Sequence, residues 1–328
     1  MSERRPEYEV AIVGAGPAGL FAAYYAGFRS LKTALFDGLP HVGGQVSTMY
    51  PDKLIHDVAG FASIKGGGLV AALLEQSQRH SYDLYLSDAV VGLEVLSDEA
   101  YRLTTEQGRK ITTKAVIIAA GLGKCTPRTF PSLEGVDSPN VMHFAPDLSV
   151  FQDQDVVIAG GGDSAVDWAI SASGIAKSVT VVHRRNRFRA HETSVMEMYA
   201  RGVRVIAPGE VGAYRVLSGR EYLAIAEPSG SAVEIQFDKL VVALGFHSDL
   251  SVMEAWGLGI DGFRIPVENN MQTRLPRVFA IGDVSEYAGK VRLIAVGFGE
   301  AAIAVNHAAA AISPTLSVVP EHSTNEVY

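Results

Sequence analysis

Two glycine-rich turns and one run of arginines are the residues of this chain best suited to chemistry. The first turn, Gly14-Ala15-Gly16-Pro17-Ala18-Gly19, follows an apolar run at Val10–Val13 and precedes small and apolar residues from Leu20 to Phe28. The second, Gly160-Gly161-Gly162-Asp163-Ser164-Ala165, follows Asp155–Ala159 and precedes Val166 to Ser173. A turn of this type between a strand and a helix suits the pyrophosphate of a dinucleotide. Its first glycine permits the tight turn, the second lets phosphate approach the backbone, and the third lets helix pack on strand. The helix N-terminus adds free N–H groups and a favourable dipole. A lone match means little in a chain with 33 glycines. The order strand, turn, helix gives it weight.

The end of the next strand separates the two turns. After the first, Thr33–Asp37 ends in an acid, which accepts hydrogen bonds from ribose hydroxyls and repels a 2′-phosphate. After the second, Ser178–Val182 is followed by His183-Arg184-Arg185, then Arg187 and Arg189. Asp37 stands 23 positions beyond Gly14, and Arg184 stands 24 beyond Gly160. Equivalent places therefore carry opposite charge. Guanidinium groups bind a 2′-phosphate through paired charge-assisted hydrogen bonds, each worth roughly 1.5–3 kcal/mol. The second site is expected to take NADPH, with Gly160, Gly162, Asp163 and Ser164 at the turn and Arg184 and Arg185 at the 2′-phosphate. Asp163 and Ser164 open the helix, where either could serve as a cap instead.

These loops need a scaffold. At 328 residues the chain is too long for one typical core. Three further apolar runs end in glycine: Ala115–Gly121, Lys239–Gly245 and Arg277–Gly282. They read as buried strands that deliver the chain to the edge of a site or to a domain crossing. The expected fold class is α/β, with two Rossmann-like dinucleotide-binding domains, the second inserted into the first. Residues 1–121 and 246–313 form the first domain and 122–245 the second. Residues 314–328, with Pro314 and Pro320, form an irregular tail.

Composition excludes several classes. A net charge of −8 argues against nucleic-acid binding. Met1 to Glu9 does not suit a signal peptide. No apolar run approaches the ~20 residues of a membrane span, so the expected compartment is the cytoplasm, with no membrane partner. The chain has one cysteine, Cys125, which allows neither an intramolecular disulfide nor a dithiol redox centre.

Arg277-Val278-Phe279-Ala280-Ile281-Gly282-Asp283 resembles the second FAD fingerprint of the pyridine-nucleotide disulfide oxidoreductase superfamily, in which the aspartate binds the ribityl chain. With the two turns and His183-Arg184-Arg185-Asn186-Arg187-Phe188-Arg189-Ala190, the chain resembles the low-molecular-weight thioredoxin reductases over nearly its whole length. There the arginines matching Arg184, Arg185 and Arg189 hold the 2′-phosphate. Those enzymes also carry Cys-x-x-Cys just before the second phosphate loop. Here Asn140 to Asp155 holds no cysteine, so electrons cannot leave through such a dithiol.

The thioredoxin-reductase-like ferredoxin/flavodoxin–NADP+ reductases lack the dithiol and match better. Gly43-Gly44-Gln45-Val46-Ser47-Thr48-Met49-Tyr50-Pro51 resembles their FAD loop, and Asp57-Val58-Ala59-Gly60-Phe61 follows it. Gly161 to Ala169 is similar to their NADP loop, and Gly297-Phe298-Gly299-Glu300-Ala301-Ala302 and His322-Ser323-Thr324 complete the set. The resemblance implies an FAD domain split around an NADP domain. It implies FAD contacts at Gly14, Gly16, Gly19, Asp37, Gln45, Tyr50, Val90, Cys125, Asp283 and Thr324. Tyr50 would stack on the isoalloxazine, Val90 would act through its backbone, and His322 would cover a flavin of the partner subunit in a homodimer. Cys125 stands where the family often has an aromatic residue; a buried free cysteine acts as a small apolar group. Trp168, on the helix after the second loop, reads as packing. No acid–base residue and no metal ligand is expected.

The implied activity is that of an FAD-dependent ferredoxin (or flavodoxin)–NADP+ reductase. Hydride would pass between NADPH and flavin N5, and single electrons between flavin and an iron–sulfur or flavin carrier protein. The protein orients and tunes while the cofactor does the chemistry. The rival readings are an NADPH-dependent flavin monooxygenase, which would need a site that protects an oxygen adduct, and a non-catalytic redox sensor.

Overall fold

The central strands carry apolar residues at successive positions, which suits strands covered on both faces. The computed structural model describes residues 6–145, 147–228, 230–313 and 315–320, with the side chains of Lys124, Cys125 and Ser248 outside that description. The chain forms two units. One comprises residues 1–124 and 248–328, and the other residues 125–247.

In the first unit, a sheet runs in the order Asp83–Tyr85, Thr33–Phe36, Tyr8–Val13, Lys110–Ile118, Ala100–Thr105, Val90–Ser97. Lys110–Ile118 changes neighbour along its length. Its first half pairs antiparallel with Ala100–Thr105, and its last three residues pair in parallel with Val278–Ala280. Successive side chains point to opposite faces of a strand. Accordingly Val10, Ile12, Ala115, Ile117 and Phe279 enter one core, while Ala11, Val13, Val116, Ile118 and Val278 enter the other. These positions are buried almost completely. Fully burying a large apolar side chain contributes roughly 1.5–3 kcal/mol.

The helix Pro17–Phe28 buries Gly19, Ala22, Ala23 and Ala26, and small residues of this kind let neighbouring backbones come close. The helix Ile294–Ile312 packs into the same core through Ala301, Ala304, Val305 and Ala308. At 19 residues, that helix is long and apolar enough to cross a membrane by length and composition. This corrects the expectation that no apolar run nears such a length. Its buried stripe is a core face of the first unit.

The second unit follows the same plan. Its parallel sheet runs Val141–Met142, Lys239–Val242, Asp155–Ala159, Ser178–Val182, Arg204–Ile206. The helices Asp163–Ala172 and Glu192–Ala200 share one core with it, and Trp168 meets Phe151 edge-on with ring centroids 6.1 Å apart. An antiparallel meander, Glu210–Leu217, Arg220–Ala226 and Ala232–Phe237, precedes Lys239–Val242. Where the meander meets the loop before Val141, the buried Glu221 accepts hydrogen bonds from Ser138, Tyr214 and Asn140, each 2.6 Å long.

Candidate functional site

The first phosphate loop is locked at two of its glycines and open at the third. Gly14 has φ of 107°, and a Cβ there would lie 2.4 Å from the Ala119 carbonyl oxygen. A Cβ at Gly19 would lie 1.8 Å from the Gly14 carbonyl oxygen. A methyl group fits neither place. At Gly16, no protein atom lies within 4 Å of the Cβ position, so the backbone borders open space at the N-terminus of Pro17–Phe28. The first N–H groups of a helix have no acceptor inside it. The open edge and these free donors fit a pyrophosphate.

Asp37 is tied to this loop. Its Oδ2 accepts from the Ala15 N–H at 2.7 Å and its Oδ1 from the Leu39 N–H at 2.8 Å. Burial pushes its carboxyl up, against the two N–H groups, which pull it down. The Asp88 N–H donates to the Asp37 carbonyl at 3.0 Å, which sets the chain just before the buried Val90 alongside the acid.

The segment after Gly43 lies over the same loop. The Gly43 N–H donates to the Ala15 carbonyl at 2.8 Å, and a Cβ on Gly44 would stand 3.2 Å from the Gly16 Cα. Gln45 points its amide toward Gly121, where an added Cβ would lie 2.9 Å from Nε2. Tyr50, half-buried, ends the short helix Gly44–Met49. Burial, then the charges of Asp283 and Asp57, push its hydroxyl up, so it stays neutral at physiological pH beside Asp283. Asp283 follows Gly282, whose φ is 70°. The structure thus brings Gly14, Gly16, Gly19, Asp37, Gln45, Tyr50 and Asp283 to the C-terminal ends of the first unit's parallel strands. That is the edge at which open α/β sheets bind ligands.

The second phosphate loop repeats the geometry. A Cβ on Gly160 would lie 2.4 Å from the Ala243 carbonyl oxygen, and Gly162 again borders open space. Ala165 takes the place of Gly19. The loop from His183 to His191 folds onto this turn at three points. The imidazole of His183 lies against Gly161, whose Cβ would meet it at 2.2 Å. The Arg189 N–H donates to the Gly161 carbonyl at 2.8 Å. The Asp163 carboxylate accepts from the His191 N–H at 3.1 Å, so its contact is with the loop. Ser164 is exposed in the first helical turn.

His183 also stacks on Phe188, with ring centroids 5.1 Å apart, and its Nε2 lies 3.2 Å from the Arg187 carbonyl oxygen. Burial holds its imidazole below the usual value; the Arg187 carbonyl opposes this, and the charges of Arg185, Arg184 and Arg189 add to it. Arg184, Arg185, Arg187 and Arg189 are all exposed. None of the four forms an ion pair among the described residues. A cluster of unneutralised guanidinium groups beside an open phosphate loop fits a dinucleotide bearing an additional phosphate.

Of the remaining sequence-derived candidates, His322, Thr324 and the side chain of Cys125 lie outside the described residues. The last described segment starts from a fixed point: Arg29, at the end of Pro17–Phe28, donates to Asn306 and, at 2.7 Å, to the Ser317 carbonyl. Sequence reasoning missed a buried polar cluster of Ser285, Tyr287, Lys290 and Glu300 beside Gly282. Its signal was available, since an acid in the middle of an apolar helix is almost never buried without a partner.

Residues 8–308 match the pyridine nucleotide-disulphide oxidoreductase family. The chain is 46% identical to the ferredoxin–NADP reductase of Salinispora tropica over 323 residues, covering 98% of this chain and 99% of that one. It is 44% identical to ferredoxin–NADP reductase 2 of Shouchella clausii, covering 99% of each. Among solved structures it is similar to thioredoxin reductase of Lactococcus lactis, with a TM-score of 0.77, 25% identity, and coverage of 93% of this chain and 99% of that one.

Proposed function

The chain belongs to the pyridine nucleotide-disulphide oxidoreductase family, and from that premise we propose that it is a ferredoxin–NADP+ reductase using FAD and NADPH. Its full-length similarity to ferredoxin–NADP reductases supports the activity. The single cysteine of the sequence leaves no dithiol through which electrons could pass to a thiol substrate. The observation that carries the reading is the reversal of charge between the two loops. Asp37 closes the first, and four exposed arginines with no ion pair among the described residues close the second.

FAD would be held in the first unit. Gly14 and Gly19 set the turn, Gly16 opens it to the pyrophosphate, and Asp37 accepts from the ribose. The backbone at Val90 borders the adenine end, Gln45 and Asp283 reach the ribityl and ring portions, and Tyr50 offers an aromatic face. NADPH would be held in the second unit by Gly160, Gly162 and Ser164 at the phosphates. Arg184, Arg185 and Arg189 would bind its 2′-phosphate, and Asp163 would brace their loop. Bound flavin exchanges a hydride with the nicotinamide and single electrons with a carrier. The side chains orient and exclude water, and none is needed as acid, base or nucleophile. Flavodoxin can serve in place of ferredoxin. Two copies form a homodimer in the cytoplasm, in which His322 covers a flavin of the partner and Thr324 contacts it, with Cys125 filling space near the ring.

The deciding experiment is NADPH-driven cytochrome c reduction with ferredoxin, flavodoxin, thioredoxin or no carrier. Strong stimulation by ferredoxin or flavodoxin and none by thioredoxin is expected. NADPH oxidation that needs only oxygen and gains nothing from a carrier would overturn the proposal.

A further inference from the structure

The helix Ile294–Ile312 carries one acidic residue, Glu300, and its side chain is 3% exposed. The side chain of Lys290, its ion-pair partner, is 2% exposed. Burying both charges costs more than apolar side chains of the same volume would, unless every donor and acceptor is matched. Here they are matched. The Lys290 ammonium donates to Glu300 Oε1, to the Gly282 carbonyl at 3.0 Å and to Ser285 Oγ at 3.0 Å. Glu300 Oε1 also accepts from the Tyr287 hydroxyl at 2.7 Å, and Oε2 accepts from the Gly282 N–H at 2.7 Å. The Ser285 hydroxyl donates to the Gly282 carbonyl at 2.9 Å.

The geometry has one focus. Both polar groups of Gly282 are gripped, its N–H by the acid and its carbonyl by the ammonium. Apolar side chains could fill the space but could not hold both. Gly282 is also wedged sideways: Cβ atoms built on Gly282 and on Gly297 would each lie 3.4 Å from the Ala18 Cβ, in the helix that begins at the first phosphate loop. The next residue is Asp283. We propose that Lys290 and Glu300 are positioning residues that hold the Gly282–Asp283 peptide in register for FAD, and that this is why a charged pair occupies the core there. The pair is neutral as a whole, so it orients the peptide without adding net charge near the flavin. The inference rests on the reading that Asp283 contacts FAD.

The test compares full-length holoenzymes by the rate of FAD release, read as recovery of free-flavin fluorescence, and by the visible circular dichroism of bound FAD. K290M/E300Q removes both charges together and leaves no orphan ion. Its FAD release should be at least tenfold faster than wild type, with an altered flavin dichroism. K290R should restore release to within threefold of wild type. Y287F removes a hydrogen bond from the same carboxylate but none from Gly282, and should also stay within threefold. A K290M/E300Q protein with a lower melting temperature but unchanged FAD release and dichroism would show a merely structural pair and overturn the inference. If that variant does not fold, S285A decides. It removes a donor to the Gly282 carbonyl and should release FAD at least threefold faster; unchanged release overturns the inference. D283A separates the two readings. Slow release from D283A refutes the assignment of the site itself, whereas fast release from D283A with slow release from K290M/E300Q refutes only the positioning role.

Discussion

Replacing Arg184 and Arg185 together by glutamine should convert the enzyme from an NADPH enzyme to one that barely distinguishes the two nucleotides. The magnitude follows from the setting. Both guanidinium groups are exposed and have no carboxylate partner among the described residues, so their charge is available to a ligand. A charge-assisted hydrogen bond contributes roughly 1.5–3 kcal/mol, and screening at an exposed site pulls each toward the low end, about 1–1.5 kcal/mol. Two such contacts amount to about 2–3 kcal/mol, or a loss in kcat/KM on the order of a hundredfold for NADPH. NADH has no 2′-phosphate to lose, and its kcat/KM should change less than about threefold on the same reasoning. The assay is steady-state turnover of each nucleotide with ferricyanide as acceptor at fixed ionic strength. Wild-type preference for NADPH should shrink as salt is raised, and the variant's should not. Equal losses for both nucleotides would mean that the arginines shape the loop rather than read the phosphate, and the argument from reversed charge would fail.

Cys125→Ser should keep at least half of the NADPH-to-ferredoxin rate, because a lone cysteine cannot form a dithiol; loss of that rate with FAD still bound would implicate the thiol. Glu221→Gln should lower the stability of the second unit by about 1–3 kcal/mol at neutral pH. Burial pushes the Glu221 carboxyl up, but hydrogen bonds from Ser138, Tyr214 and Asn140 and the charge of Lys239 outweigh it and hold it below its ordinary value of 4.5. A depressed folded-state value means stability that is present above about pH 4.5 and lost as pH falls through the lower value. The gap in urea midpoint between wild type and variant should therefore be smaller at pH 4 than at pH 7, and an equal gap at both would refute this. Deleting residues 314–328 should leave FAD bound but change its absorption spectrum and the rate of flavin reduction by NADPH; a truncated protein identical in both has no flavin contact in its tail.

Much of the fold was legible because parallel strands and phosphate turns write themselves locally. Asp155–Ala159 and Ser178–Val182 are strands at the limits that their apolar runs suggest. The helix expected from Val166 begins at Asp163, since the glycine turn winds directly into the first helical turn. The meander of the second unit and the antiparallel strands Val90–Ser97 and Ala100–Thr105 of the first were not legible. Val90–Ser97 leaves Val91, Val95 and Leu96 exposed, so its alternation is blurred. The charged ends of the site, Asp37 and Arg184, stood out because each follows a run of apolar residues. The grip of Lys290 and Glu300 on Gly282 did not. Such contacts are fixed by three-dimensional pairing of polar groups, which leaves no period in the sequence.

The strand Lys110–Ile118 waits for its last partner. Along its final residues, the Val116 N–H donates to the Arg277 carbonyl and the Ile118 carbonyl accepts from the Ile281 N–H. Val278 lies 154 residues beyond Lys124. At a synthesis rate of about 5–20 residues per second, the ribosome needs roughly 8–30 s to supply it. Residues 125–247 are contiguous and can close their own core in that interval, but the N-terminal segment cannot. Until Val278–Ala280 emerges, the edge at Val116–Ile118 is a template for pairing with any passing strand. Helix Ile294–Ile312, which covers Ile117 and Leu20 in the same core, arrives later still. For those seconds the newborn chain carries an unpaired strand edge, the kind of surface that makes partly folded chains prone to aggregate.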